Sequence, residues 1–181
     1  MNLIISTSLS PRSRSRIVAR YASTLLEEAD VPHEFIDLRD EALPFCDADQ
    51  CYSSESASAM KAKIDQAQGI LLATPIYNYN IGSSAKNLIE LTGAAWTGKV
   101  AGFICAAGGR SSYMTVMGIA NSLMLDFRTW IVPRFVYVTG EHFEGDDLTD
   151  EDVRMRVVRL LDDWQRAITG LSPAAPLTPD D

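Results

Sequence analysis

The chain has little from which to build a covalent or membrane-anchored scaffold. It holds three cysteines in 181 residues, an odd number that argues against a disulfide framework and for a reducing cytoplasm. No apolar run approaches the ~20 residues that a membrane helix needs. The opening residues enter an apolar run with no basic stretch and no cleavage site, so no secretory signal is expected. Acidic residues outnumber basic ones by 24 to 16, for a formal charge of −8, and no basic-aromatic stripe is present. Nucleic acid is therefore not an expected partner. Two nucleotide loops are also missing. Without Gly-x-x-x-x-Gly-Lys there is no cradle for a triphosphate, and without Gly-x-Gly-x-x-Gly the backbone is not opened to a pyrophosphate.

What is present begins at the third residue. Leu3 to Ile5 is a short apolar run that breaks into Ser6-Thr7-Ser8-Leu9-Ser10-Pro11-Arg12-Ser13-Arg14-Ser15. Apolar residues then return with helical spacing at Ile17, Val18, Tyr21, Ala22, Leu25 and Leu26. The pattern predicts a buried strand, a donor-rich turn and an amphipathic helix. The first N–H groups of such a helix lack internal partners and lie at the positive end of its dipole, so the turn suits an anion. Hydroxyls plus Arg14 suit one terminal monophosphate; helix capping by Ser13 or Ser15 is the simpler alternative.

With 46% hydrophobic residues the chain can bury a sizeable core, and it reads as one domain over residues 1–170. Further strands are predicted at Pro32–Leu38, Gly69–Thr74, Lys99–Ala107 and Ile131–Thr139, the last interrupted by Pro133 and so suited to an edge or a bulge. Helices are predicted at Ala57–Ala67, Ser83–Thr92 and Tyr113–Asp126. A final helix has Thr149-Asp150-Glu151-Asp152 as its capping signal and a stripe of Val153, Val157, Leu160, Leu161, Trp164 and Ile168. Residues 171–181 read as a disordered, proline-rich acidic tail. Arg39–Ser58 reads as a long irregular loop anchored by Leu43-Pro44-Phe45. Cys46 and Cys51 lie in it without the second pair or histidine that a zinc site needs.

Five strands alternating with helices predict a parallel α/β sheet covered on both faces. Ligands of such sheets bind beyond the carboxyl ends of the strands, where strand order reverses. Three polar loops should gather there: Ser6–Ser15, Pro75–Gly82 and Gly108–Ser112. FMN fits them physically, with its phosphate at the first loop and its ring along Pro75-Ile76-Tyr77-Asn78. Backbone N–H groups of Gly108 and Gly109 would meet the pyrimidine edge, and Arg110 would place positive charge near N1 and the C2 oxygen. Plain turns at these positions are the alternative. The helix from Tyr113 to Phe127 is apolar on too many sides for a single core-facing stripe, which leaves a face for a symmetric partner or for deep burial within one chain.

The run Thr74-Pro75-Ile76-Tyr77-Asn78, followed by Lys86-Asn87-Leu88-Ile89-Glu90, resembles the Pro-x-Tyr-Asn … Lys-Asn-x-Ile-Asp/Glu signature of the NADPH-dependent FMN reductase family. Ser8, Ser13, Arg14 and Ser15 match the Ser-x-x-x-x-Ser-Arg-Ser spacing of the alkanesulfonate-system flavin reductases. The Gly108-Gly109-Arg110 turn and the Asp37-Leu38-Arg39-Asp40 … Leu43-Pro44 segment are similar as well. Thr7 stands where the family usually has glycine, a departure that bears on how the phosphate sits. The resemblance implies a flavodoxin-like three-layer αβα sandwich with a five-stranded parallel sheet in the order 2-1-3-4-5. It also implies FMN and NADPH as cofactors, a small-molecule electron acceptor such as a flavin or quinone, and a cytoplasmic homodimer or homotetramer. The cofactor-binding set is then Ser8, Ser13, Arg14, Ser15, Pro75, Ile76, Tyr77, Asn78, Gly108, Gly109 and Arg110, with no catalytic side chain. Lys86 and Asn87 are expected to be structural or interfacial. A flavodoxin-type electron carrier and a phosphate-binding regulator are the competing functions.

Overall fold

Alternating side chains along each strand serve two separate cores, because successive residues of a strand face opposite sides of the sheet. Leu3, Ile5, Ile70, Leu72 and Phe103 pack on one face, and Ile4, Leu71, Ala73 and Ile104 on the other. The computed structural model describes residues 1–171. Its strands are β1 (Asn2–Ser6), β2 (His33–Asp37), β3 (Gly69–Tyr77), β4 (Asn80–Ile81), β5 (Val100–Ala106), β6 (Trp130–Val138), β7 (Phe143–Glu144) and β8 (Asp147–Leu148). Its helices are α1 (Arg14–Glu28), α2 (Glu55–Gln66), α3 (Ser83–Thr92), α4 (Val116–Phe127) and α5 (Glu151–Gly170). The main sheet runs β2-β1-β3-β5-β6, all parallel. With the hairpin strand β4 set aside, this is the expected 2-1-3-4-5 order. Helices α1 and α5 cover one face and α2, α3 and α4 the other.

Strand order reverses between β1 and β3, so the loops after these strands diverge and leave a crevice at their carboxyl ends. Trp164 closes the opposite end of the α5 face. It is fully buried and its indole N–H donates to the Val100 carbonyl at 3.1 Å. Gly69 makes room for it, since a Cβ there would lie 2.8 Å from the Trp164 ring and 2.3 Å from Ile168.

Four local expectations need correction or refinement. Pro75–Gly82 is not a simple loop: β3 continues to Tyr77 and folds back into β4. The segment Arg39–Ser58 is not wholly irregular, for it contains a 3-10 turn at Gln50–Ser53 and the start of α2, whose cap Ser54 accepts from the Ala57 N–H. The helix expected from Tyr113 opens instead with a 3-10 segment, Arg110–Thr115, before α4. Asp150, rather than Thr149, caps α5, its Oδ1 accepting from Val153 N at 2.9 Å, while the N–H groups of both residues donate to the His142 carbonyl. Pro133 does lie at an irregularity of an edge strand: the β5–β6 register shifts between Ala101 and Phe103, whose partners are Ile131 and Phe135. The expected tail falls, beyond Leu171, outside the described residues.

Candidate functional site

The first loop is shaped from below by a buried ion pair. The Arg16 guanidinium donates to Asp37 Oδ2 at 2.5 Å and Oδ1 at 3.1 Å. Its remaining N–H groups reach the carbonyls of Ser8 at 2.5 Å and Ser10 at 2.7 Å. One guanidinium therefore ties the start of α1, the end of β2 and the backbone of the loop together. With those carbonyls held by Arg16, the hydroxyl-bearing residues Ser8, Ser10, Ser13 and Ser15 line the cleft, and all but Ser10 are buried. Thr7 is fully buried and donates its hydroxyl to the Ala73 carbonyl at 3.0 Å, so the departure from glycine lies under the loop and not in the crevice. Ser13 caps α1, accepting from Arg16 N at 3.2 Å, and lies 3.0 Å from the Ser15 hydroxyl. The first turn of α1 carries no acidic residue, which leaves its positive end uncompensated.

The second loop is a tight hairpin. Tyr77 pairs with Asn80, and the two residues between them, Asn78 and Tyr79, have φ of 50° and 58°. Two consecutive left-handed residues make the turn type that suits the twist of a hairpin, and asparagine tolerates that region well. Tyr77 is pushed outward, and Tyr79 OH donates to Ser111 Oγ at 3.1 Å, linking the second loop to the third. In the third loop the Tyr137 hydroxyl donates to the Gly109 carbonyl and lies 2.8 Å from Ser112 Oγ. Nothing lies within 4 Å of where a Cβ would stand on Gly108 or Gly109.

Nine of the eleven expected residues line one cleft of about 550 Å³: Ser8, Ser13, Arg14, Ser15, Pro75, Ile76, Tyr77, Asn78 and Gly108. Gly109 and Arg110 do not. Arg110 turns instead to Glu141, donating to both carboxylate oxygens at 2.8 and 2.7 Å. Glu141 also accepts from the Thr139 hydroxyl. Arg110, followed by this hydroxyl, holds the carboxyl down to about 2. A carboxylate from the loop after β6 was not visible to a reading of the first three loops. Ser10, Arg12, Ala106 and Ala107 complete the cleft; the serine and arginine belong to the donor-rich turn but not to the family spacing, and the alanines are the last residue of β5 and the one after it.

The electrostatics of this cleft are one-sided. Two arginines line it, no carboxylate does, and among the described residues neither Arg12 nor Arg14 has an acidic partner. Arg14 lies against Gly140, where a Cβ would come within 3.2 Å of the guanidinium carbon, and 5.9 Å from the Phe143 ring centroid. On the other side of the Tyr77-Asn78 tip lies a second cleft of about 850 Å³, walled by Phe45, by α3 and by Gly118, Ile119 and Ser122 of α4. Asn87 braces that wall. Its Oδ1 accepts from Cys46 N at 2.8 Å and its Nδ2 donates to the Pro44 carbonyl at 3.0 Å. Lys86 pairs with Glu90 at 2.5 Å.

A parallel sheet in 2-1-3-4-5 order, with a phosphate-type loop and a hairpin at its carboxyl end, defines a flavodoxin-like α/β protein. An oxidoreductase from Corynebacterium diphtheriae shares this fold, at a TM-score of 0.76 and 17% identity, over 94% of this chain and 98% of that one. The chain belongs to the NADPH-dependent FMN reductase family, whose model matches residues 2–143. Among relatives, an NAD(P)H:quinone oxidoreductase of Solanum tuberosum is 29% identical over 71% of each chain. An NADPH azoreductase of Bacillus sp. (strain OY1-2) is 23% identical over 76% of each. The chain is thus an NAD(P)H-dependent oxidoreductase of the flavodoxin-like class that works with FMN.

Proposed function

We propose that FMN occupies the 550 Å³ cleft, and that the enzyme passes electrons from NADPH to a small planar acceptor of the quinone, azo or free-flavin type. The observation that carries this reading is the charge of the lining: two arginines without acidic partners and no carboxylate. Such a site favours a dianionic phosphate at the start of α1. It also favours negative charge on a reduced ring, whereas a dedicated one-electron carrier would surround the ring with acidic groups. Bound FMN supplies the hydride and electron transfer. The protein's residues hold and orient. Ser13, Ser15, Arg12 and Arg14 face the phosphate, the Tyr77-Asn78 tip offers an apolar plane and an amide, and the open backbone at Gly108 permits close approach. Arg110, engaged by Glu141, acts at the rim rather than at the ring.

The names of the two relatives support the acceptor class, and the exposed Tyr77 beside the 850 Å³ cleft supports access for a flat molecule. The uncovered face formed by Met114, Met117, Met124, Leu125 and Trp130 supports a second copy of the chain as partner, since Leu125 is 75% and Trp130 56% exposed. Burial within one chain does not account for these side chains. Among the described residues no helix is long and apolar enough to cross a membrane, and the proposed setting is the cytoplasm. Purified protein loaded with FMN should oxidise NADPH when a quinone or azo dye is added. No oxidation with any acceptor would remove the enzyme reading, and a persistent one-electron-reduced flavin would favour the carrier.

A further inference from the structure

The loop between β2 and α2 concentrates reactive groups that the flavin cleft does not use. Asn87 pins Pro44 and Cys46, as described above, and Asp47 closes the following turn by accepting from Asp49 N at 2.9 Å and Cys51 N at 3.0 Å. These bonds set the two cysteines against each other with their sulfurs 3.8 Å apart, the Cys51 thiol directed at Cys46 Sγ. Tyr52 OH lies 3.6 Å from the same sulfur. Cys46 is half-buried and opens onto a cavity of about 440 Å³ that Lys86 also lines. Cys51 sits behind it, 4% exposed, and Cys105 is buried in the sheet core.

The two thiols are unequal. The Tyr52 hydroxyl, with the Ala48 backbone and the Cys51 thiol, lowers the Cys46 pKa, while burial raises that of Cys51. A solvent-reachable thiol whose pKa is lowered, set beside a buried partner, is the arrangement in which one sulfur reacts with an oxidant and the other resolves the product. We propose that Cys46 is a peroxide-reactive thiolate and Cys51 its resolving thiol, so that hydrogen peroxide converts the pair into a disulfide within this loop.

The Cys46 thiolate attacks one peroxide oxygen. The O–O bond breaks, the departing hydroxide takes up a proton as water, and Cys46 is oxidised by two electrons to a sulfenic acid. Cys51 gives up its proton and attacks the Cys46 sulfur. The S–O bond breaks, its oxygen leaves with that proton as a second water, and an S–S bond forms. Two thiols and one peroxide thus yield one disulfide and two waters. The sulfurs must close by roughly 1.8 Å to reach a bond of about 2 Å, a shift within the reach of side-chain rotation. The oxidant is one that reduced flavins generate with oxygen, but the pair stands on its own geometry and does not require a filled flavin cleft.

The test uses the full chain, freed of flavin, reduced, and exposed to one equivalent of hydrogen peroxide before alkylation and tryptic digestion. Both cysteines fall on the peptide between Arg39 and Lys61. That peptide should lose two hydrogens, about 2 Da, while Cys105 remains a thiol. Cys51→Ser should stop at a sulfenic acid on Cys46 that a cyclic dione traps, Cys46→Ser should abolish the bridge, and Tyr52→Phe should slow it about tenfold. Circular dichroism should show the variants folded. A peptide that stays reduced, preferential oxidation of Cys105, or an unslowed Tyr52→Phe variant would overturn the assignment.

Discussion

Replacing Asp37 with alanine should strand the guanidinium that shapes the phosphate loop. The Arg16 and Asp37 side chains are only 9% and 7% exposed, so solvent screens the pair little. Removing one partner of such a pair costs about 3–5 kcal/mol, because the remaining charge stays buried without compensation. Arg16 also anchors the Ser8 and Ser10 carbonyls, so the loop loses its template as the guanidinium seeks water. Urea unfolding should show Asp37→Ala losing about 3–5 kcal/mol, and FMN affinity should fall at least about tenfold. The double variant Arg16→Leu with Asp37→Leu separates the two effects. It removes both charges and should recover much of the stability, since an apolar pair of similar volume is often neutral or better. It cannot hold the two carbonyls, so FMN binding should stay weak. A single variant that loses less than about 1 kcal/mol, or a double variant that binds FMN like the parent, would refute the reasoning.

Arg14→Ala should weaken FMN by about tenfold or more while leaving riboflavin, which lacks the phosphate, unchanged; fluorescence titration with both flavins reads the difference. The Glu141 carboxyl stands at about 2 in the folded protein against an ordinary 4.5. Its contribution to stability is thus complete above the ordinary value and disappears as pH falls through about 2, and Glu141→Gln should remove that acid limb from a melting profile. Trp164→Ala should cost about 3–5 kcal/mol in denaturant unfolding, because the indole is fully buried against Gly69 and Gly102. Leu125→Glu should convert the proposed dimer to a monomer in sedimentation, without unfolding it, if the exposed face of α4 is where copies meet.

Much of the fold was legible because its signals are local and repeated. Continuous apolar strands such as Gly69–Thr74 announce a sheet covered on both sides, and the Val153-to-Trp164 stripe announces α5. The boundaries were harder wherever two residues compete for one role. Thr149 and Asp150 both suit a cap, and the choice follows from where the helical backbone begins, at Glu151, which makes Asp150 the residue before it. The β3–β4 hairpin was obscured because Tyr79 adopts a left-handed conformation that its side chain does not advertise. At the site, Ser8, Ser13, Arg14 and Ser15 stood out through the resemblance to the family spacing, and the structure brings all four to one cleft. Arg110 could not be placed, because its partner Glu141 lies in a different loop. Arg16 was hidden for the same reason: its function depends on Asp37, at the end of the next strand.

The central claim is that this chain holds FMN in the crevice between the first and second loops and uses it to oxidise NADPH. Absorbance of the FMN-loaded protein during anaerobic NADPH addition tests it most directly. The flavin band should bleach in proportion to NADPH added and return in full when a quinone is injected. A band that persists through excess NADPH, in protein shown to bind FMN, would contradict the account.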